Sequence, residues 1–163
     1  MKGEYLKRIA DEVLQDTLDS SGAVLITGPK WCGKSTTAER LAKSVVYMQD
    51  KTHQQQNIEL AKLNPKLFLD NPAPMLIDEW QIIPFIWDSI RFEVDQRDDF
   101  GQFILTGSST AKQADETAHS GIGRITKMVM RPMSLYESKD SNGTISLQSL
   151  FEGNTDIGAK CDK

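Results

Sequence analysis

The chain has 163 residues, 39% of them hydrophobic and 26% charged, with a net charge of −4 and a sequence pI near 5.2. That composition suits one α/β domain burying roughly 70% of its unfolded surface. It argues against a basic domain that wraps nucleic acid, and no run approaches the roughly 20 apolar residues of a membrane span.

Residues 4–19 carry Leu6, Ile9, Val13, Leu14 and Leu18 at helical spacing and predict an amphipathic packing helix. Ser20-Ser-Gly22 ends it. Ala23–Thr27 is a short apolar run bounded by glycines, the pattern of a buried parallel strand. Gly28-Pro29-Lys30-Trp31-Cys32-Gly33-Lys34-Ser35 follows and reads G-x-x-x-x-G-K-[ST], a phosphate-binding loop. Thr36–Ser44 is the expected helix, with Ala38, Leu41 and Ala42 on one face. Strand, glycine loop and helix in that order suit the chemistry. Backbone N–H groups of the loop and the positive end of the helix cradle phosphates. Lys34 places an ammonium on the β- and γ-phosphates, and the Ser35 hydroxyl coordinates Mg²⁺. Pro29, Lys30, Trp31 and Cys32 fill the variable positions, and Thr36 opens the helix. The only cysteines, Cys32 and Cys161, lack metal-ligand spacing. A thiol in such a loop, on a chain whose N-terminus is no secretory signal, predicts a reducing, cytoplasmic location.

Val45–Met48 reads as a second strand, and Gln49–Leu63 is polar and then helical until Asn64-Pro65 breaks it. Met75-Leu-Ile-Asp78-Glu79 is an apolar strand delivering two carboxylates at its C-terminal tip, the end where open parallel sheets bind ligands. Asp78 would hold Mg²⁺ opposite Ser35. Glu79 would polarise the attacking water. Phe85–Arg97 predicts a helix with Ile86, Ile90 and Val94 inward and Asp88, Arg91 and Asp95 pairing along the solvated face. Trp80 and Trp87 read as packing residues, and His53 and His119 as ordinary polar positions. Gln102–Ser109 is another buried strand ending in hydroxyls at the same edge. Either Thr106, Ser108 or Ser109 senses the γ-phosphate or the water held by Glu79, or these hydroxyls cap a helix beginning near Thr110. A glycine-hinged loop, His119–Arg124, leads to an apolar strand, Ile125–Met130. Arg124 reads as a rim cation that reaches a neighbouring copy's γ-phosphate or pairs with a surface acid such as Glu116. From Ser138 the chain turns polar, with one short apolar element at Leu147–Phe151 and an unstructured end over 153–163.

The phosphate loop, Leu76-Ile-Asp-Glu-Trp-Gln81, Phe103–Ser108, His119–Arg124 and Met130-Arg-Pro-Met-Ser134 together resemble the ATPase core of AAA-type proteins of bacteria and archaea, in which the core precedes a C-terminal domain of unknown function. The resemblance implies a three-layer α/β/α P-loop NTPase with a mostly parallel five-stranded sheet, its sensor strand between the Walker A and Walker B strands. It implies ATP and Mg²⁺ as ligands and hydrolysis through Glu79. It makes Thr106 or Ser108 the sensor and Arg124 an arginine finger that would join a homo-oligomer. Residues 1–137 would form the core with its N-terminal helix. Residues 138–163 would be a polar tail leading to a lid and C-terminal domain that are absent here.

The expected function is therefore an ATP-binding protein with Mg²⁺-dependent hydrolysis that drives or gates an attached domain. The alternative is a nucleotide-dependent switch or scaffold with little turnover. A small-molecule kinase is disfavoured, because an acid directly after Asp78 suits water as the acceptor.

Overall fold

A computed structural model describes residues 4–108, 123–143 and 146–153. The chain divides into two compact units, residues 10–132 and residues 1–9 with 133–163.

The larger unit is built on a parallel sheet. Its elements run α1 (Ile9–Leu18, whose first residue belongs to the smaller unit), β1 (Ala23–Gly28), α2 (Lys34–Glu39), β2 (Ser44–Tyr47), α3 (Gln54–Leu63), α4 (Pro65–Leu69), β3 (Met75–Asp78), α5 (Ile86–Arg97), β4 (Phe103–Ser108) and β5 (Ile125–Val129). The sheet order is β2-β3-β4-β1-β5, and every pairing is parallel. β4 thus lies between β1 and β3, in the arrangement that the motifs imply.

Period-2 alternation sorts the strand side chains into two cores. Ala23, Leu25, Met75, Ile77, Phe103 and Leu105 face α3, α4 and α5, and meet Ala61, Phe68, Ile86, Ile90 and Val94. Val24, Ile26, Leu76 and Ile104 face the other way and meet Leu14, Leu18 and Ala38 from α1 and α2. Both faces of the sheet are covered, which is why the central strands read as continuous apolar runs. Trp80 and Trp87 are buried with ring centroids 5.1 Å apart, as packing residues.

Several boundaries differ from expectation. The first helix begins at Ile9, not residue 4, and Ile9 and Val13 are exposed while Leu14 and Leu18 are buried. α2 is only six residues long, because Ser44 is drawn into β2 opposite Met75. Asn64-Pro65 ends α3 but also starts α4. The Asn64 side chain accepts from Leu67 N–H at 3.1 Å, and Pro65 sits in the first turn, where its missing N–H costs nothing. β5 is an edge strand with only Met128 buried, so it is less apolar in use than in sequence. Ser109, the helix expected from Thr110, His119 with the loop to Ile122, and the end from residue 154 lie outside the described residues.

In the smaller unit, Glu137 gathers four donors. Its carboxylate pairs with Arg8 Nε at 3.0 Å and accepts from Ile9 N–H at 2.9 Å, Ser134 N–H at 2.7 Å and Ser134 Oγ at 2.8 Å. Burial pushes the Glu137 carboxyl up, but these donors outweigh it and hold its pKa at about 2. The short apolar element is a helix, α6 (Leu147–Phe151).

Candidate functional site

The C-terminal edge of the sheet collects the chemistry. Register places Asp78 opposite Thr106 and Gly28 opposite Ser108. Asp78 and Thr106 both lie on the α2 side of the sheet by alternation, and both are fully buried. Asp78 Oδ1 accepts from Ser35 Oγ at 2.5 Å and from Thr106 Oγ1 at 2.6 Å. Its Oδ2 accepts from Gln49 Nε2 at 3.2 Å. A buried carboxylate is tolerated when donors surround it, and here three do.

Glu79 takes a different path. Its backbone is left-handed, with φ 59° and ψ 49°, and its N–H donates to Thr106 Oγ1 at 3.3 Å. A hydrogen bond from Gln81 Nε2 holds its carboxylate. Thr106 therefore joins the two acids, donating to one side chain and accepting from the other's backbone.

The loop after β1 closes over the same edge. Gly28 has φ 156°, and a Cβ there would lie 2.2 Å from the Met130 carbonyl oxygen. Only glycine lets the end of β5 press this close, and Met130 N–H donates to Thr27 O at 2.7 Å to hold it there. Cys32 is buried, its thiol 3.6 Å from the same carbonyl. Lys34 is buried with its ammonium folded back onto Gly28 O at 3.2 Å and Pro29 O at 2.8 Å. Trp31 is fully exposed at a left-handed φ of 63°.

Lys30, Trp31, Gly33, Lys34, Ser35, Thr36, Gln49 and Glu79 surround a cavity of about 360 Å³. That is within the range of small-molecule sites. The structure therefore brings together Lys34, Ser35, Asp78, Glu79 and Thr106. Gly28 and Cys32 support the loop from beneath, while Pro29 contributes its carbonyl. Ser108 ends β4 at the same edge.

Arg124 is not brought to this cavity. It precedes β5, and its carbonyl accepts from Ala23 N–H at 3.0 Å, at the N-terminal edge of the sheet. Strand β1, about 16 Å long at 3.3 Å per residue, separates it from its own phosphate loop. Its guanidinium donates to Asp95 on α5 at 2.5 Å, and this partner raises the arginine pKa further. The surface acid it meets is Asp95, and Glu116 lies outside the described residues. Asp95 does not join the expected ladder, in which only Arg91 and Asp88 pair, at 3.1 Å.

Two glutamines were missed from sequence. Gln81 stands two residues after Glu79, and that adjacency was its signal. Gln49 had none: it reaches Asp78 only because β2 and β3 are neighbours in the sheet. Among the described residues, no group of three His, Cys, Asp or Glu side chains could hold a metal ion unaided. No described helix is long and apolar enough to cross a membrane.

A family model described as an AAA domain matches residues 20–139, about three quarters of the chain. None of the curated proteins compared with the chain matches it.

Proposed function

The chain belongs to the AAA-domain family, and from that premise we propose that it is an ATPase that binds ATP with Mg²⁺ and hydrolyses it slowly. One observation carries the reading. Asp78 shares a single carboxylate oxygen between Ser35 and Thr106, while the adjacent Glu79 lines the cavity beside Lys34. One acid is committed to a buried oxygen cluster and the other faces the space where a phosphate would sit.

The roles follow from this geometry. Lys34 exchanges the Gly28 and Pro29 carbonyls for phosphate oxygens, which attract an ammonium more strongly. Ser35 at the cavity wall and Asp78 buried behind it are hard oxygen donors 2.5 Å apart, a pair suited to Mg²⁺, which takes a few protein oxygens and completes its shell with phosphate and water. When bound there, the ion would offset negative charge on the phosphates. Glu79 accepts the proton of the water whose oxygen attacks the γ-phosphorus, and the bond to the β–γ bridging oxygen breaks to release ADP. Thr106 holds Asp78 and the Glu79 backbone in register.

A second reading, a nucleotide-dependent switch with little turnover, draws support from Arg124. Lys30 and Lys34 are the cavity's cationic lining, and Arg124 faces the opposite edge. With Arg124 away from its own chain's cavity, turnover is expected to be slow.

The test is thermal and enzymatic. ATP with Mg²⁺ at about 100 times Kd should stabilise the chain by roughly 2.7 kcal/mol. Lys34→Ala should abolish that shift, and the parent should release phosphate. A shift that survives Lys34→Ala would remove the loop from the proposal. A parent that binds but never releases phosphate would leave the switch.

A further inference from the structure

We infer that Gln81 is a positioning residue for Glu79, holding the carboxylate at the cavity, and that the bare Cα of Gly107 in β4 is what admits the Gln81 amide. This deepens the reading of Glu79 as the group that polarises water, and rests on it.

The left-handed turn at Glu79 leads into a 3₁₀ turn over Trp80–Ile82, which brings Gln81 back beside the Glu79 side chain. Fully buried Trp80 anchors that turn against Trp87. Gln81 Nε2 then donates to Glu79 Oε2. Because an ionised carboxylate only accepts, the amide nitrogen must face it and the amide oxygen must face away. That oxygen is buried and, among the described residues, has no hydrogen-bond partner. It lies against β4: a Cβ built on Gly107 would be 2.8 Å from Gln81 Oε1 and 3.1 Å from Trp80 Nε1.

The orphaned oxygen decides between a structural role and a positioning role. A buried acceptor without a partner lowers stability. Methionine has nearly the same length and volume and would fill the space without that penalty. The amide is therefore a poor choice for packing the turn, and what it supplies is the hydrogen bond to Glu79. Orientation of a catalytic group matters steeply, since a displacement near 1 Å changes rates by about 10²-fold.

Two variants reach the contact from opposite sides. Gln81→Met removes the donor and relieves the orphaned oxygen. Gly107→Ala leaves Gln81 in place but drives a Cβ onto its amide, the movable end of a flexible side chain, and to 3.1–3.2 Å from the buried Trp80 ring. With saturating ATP and Mg²⁺ in single-turnover mode, each should slow phosphate release about 10- to 100-fold, with Kd for ATP within about twofold of the parent. Gln81→Met should melt no lower than the parent. The double variant should be no slower than the worse single one, because both act on one contact. The side-chain amide protons of Gln81 report the contact without turnover. Their NMR resonance should sit away from the free-amide position in the parent and move toward it in Gly107→Ala.

A Gln81→Met chain that hydrolyses at the parent rate, while Glu79→Gln is inactive, overturns this inference and leaves the ATPase reading standing. A Gln81→Met chain that loses stability and keeps its rate assigns Gln81 to packing. If Glu79→Gln turns over like the parent, or the parent does not turn over, the underlying reading fails and this one with it.

Discussion

Thr106→Val tests the joint between the two acids with the least change of shape. Thr106 is fully buried and uses its hydroxyl twice, donating to Asp78 Oδ1 at 2.6 Å and accepting from Glu79 N–H at 3.3 Å. Valine fills the same space and does neither. A hydrogen bond to a buried carboxylate contributes about 1.5–3 kcal/mol. The Glu79 N–H then lacks its partner, but it adjoins a cavity that water enters, so we count about 1 kcal/mol for it. Asp78 keeps Ser35 and Gln49, which limits the damage. The expected loss is about 3 kcal/mol, or roughly 6–12 °C in Tm for a chain of this size. Urea unfolding should show a lower midpoint with an unchanged slope. Thr106→Ser keeps both bonds and loses one buried methyl, for about 1 kcal/mol. The reasoning is refuted if Thr106→Val stays within about 0.5 kcal/mol of the parent, or if serine is as damaging as valine.

Asp78→Asn should weaken Mg²⁺-dependent nucleotide binding, whereas Glu79→Gln should leave binding within about twofold and stop phosphate release; calorimetry with ATP and a phosphate assay separate the two. Gly28→Ala should destabilise the chain by about 2–4 kcal/mol and abolish nucleotide binding, because its Cβ meets a backbone carbonyl that cannot move without parting β5 from the loop. Glu137 has a pKa depressed from 4.5 to about 2, so its stabilising contribution is complete above about pH 4.5 and is lost as pH falls toward 2. The shift alone corresponds to about 3 kcal/mol, which we reduce to about 1–2 for a screened pair near the surface. Hydrogen exchange at the Ile9 and Ser134 amides should speed up in Glu137→Gln at pH 7, and the gap between variant and parent should narrow below pH 4.5 and close toward pH 2. Arg124→Ala should leave ATP binding and turnover in dilute protein unchanged, since its carboxylate partner is Asp95; a loss of turnover at low concentration would contradict the placement.

The phosphate loop and the acid-tipped strand were legible because each is local, a few adjacent residues whose backbone and charge fix their use. The helix ends were less so. Leu41 and Ala42 continue a helical pattern, yet pairing of Ser44 with Met75 stops α2 at Glu39, a tertiary override of local preference. Pro65 does break α3, but that Asn64 also makes it the start of α4 was not legible. Gln49 is legible only through strand order, which no window of sequence contains. The sheet edge that Arg124 occupies is legible only in the same way. Its distance along the chain from the loop says nothing of which sheet edge it occupies, and register with Ala23 puts it at the far one.

Glu79 shows how one unusual backbone conformation completes what alternation begins. On β3, alternation sends Leu76 and Asp78 to the α2 face and Met75 and Ile77 to the α5 face. An extended Glu79 would follow Ile77, away from Ser35 and Lys34 and against the apolar core under α5. A left-handed residue breaks the alternation and leaves its carboxylate at the cavity instead. For a residue other than glycine that conformation costs on the order of 1–3 kcal/mol, so it persists only where surrounding structure enforces it. Here the enforcement comes from both sides: Thr106 takes the Glu79 N–H, and buried Trp80 fixes the turn that follows. Two adjacent acids thus have different surroundings, one buried among three donors and the other lining the cavity beside a single amide. That difference, rather than the Asp-Glu pair in the sequence, is what separates a group suited to a cation from a group suited to a proton.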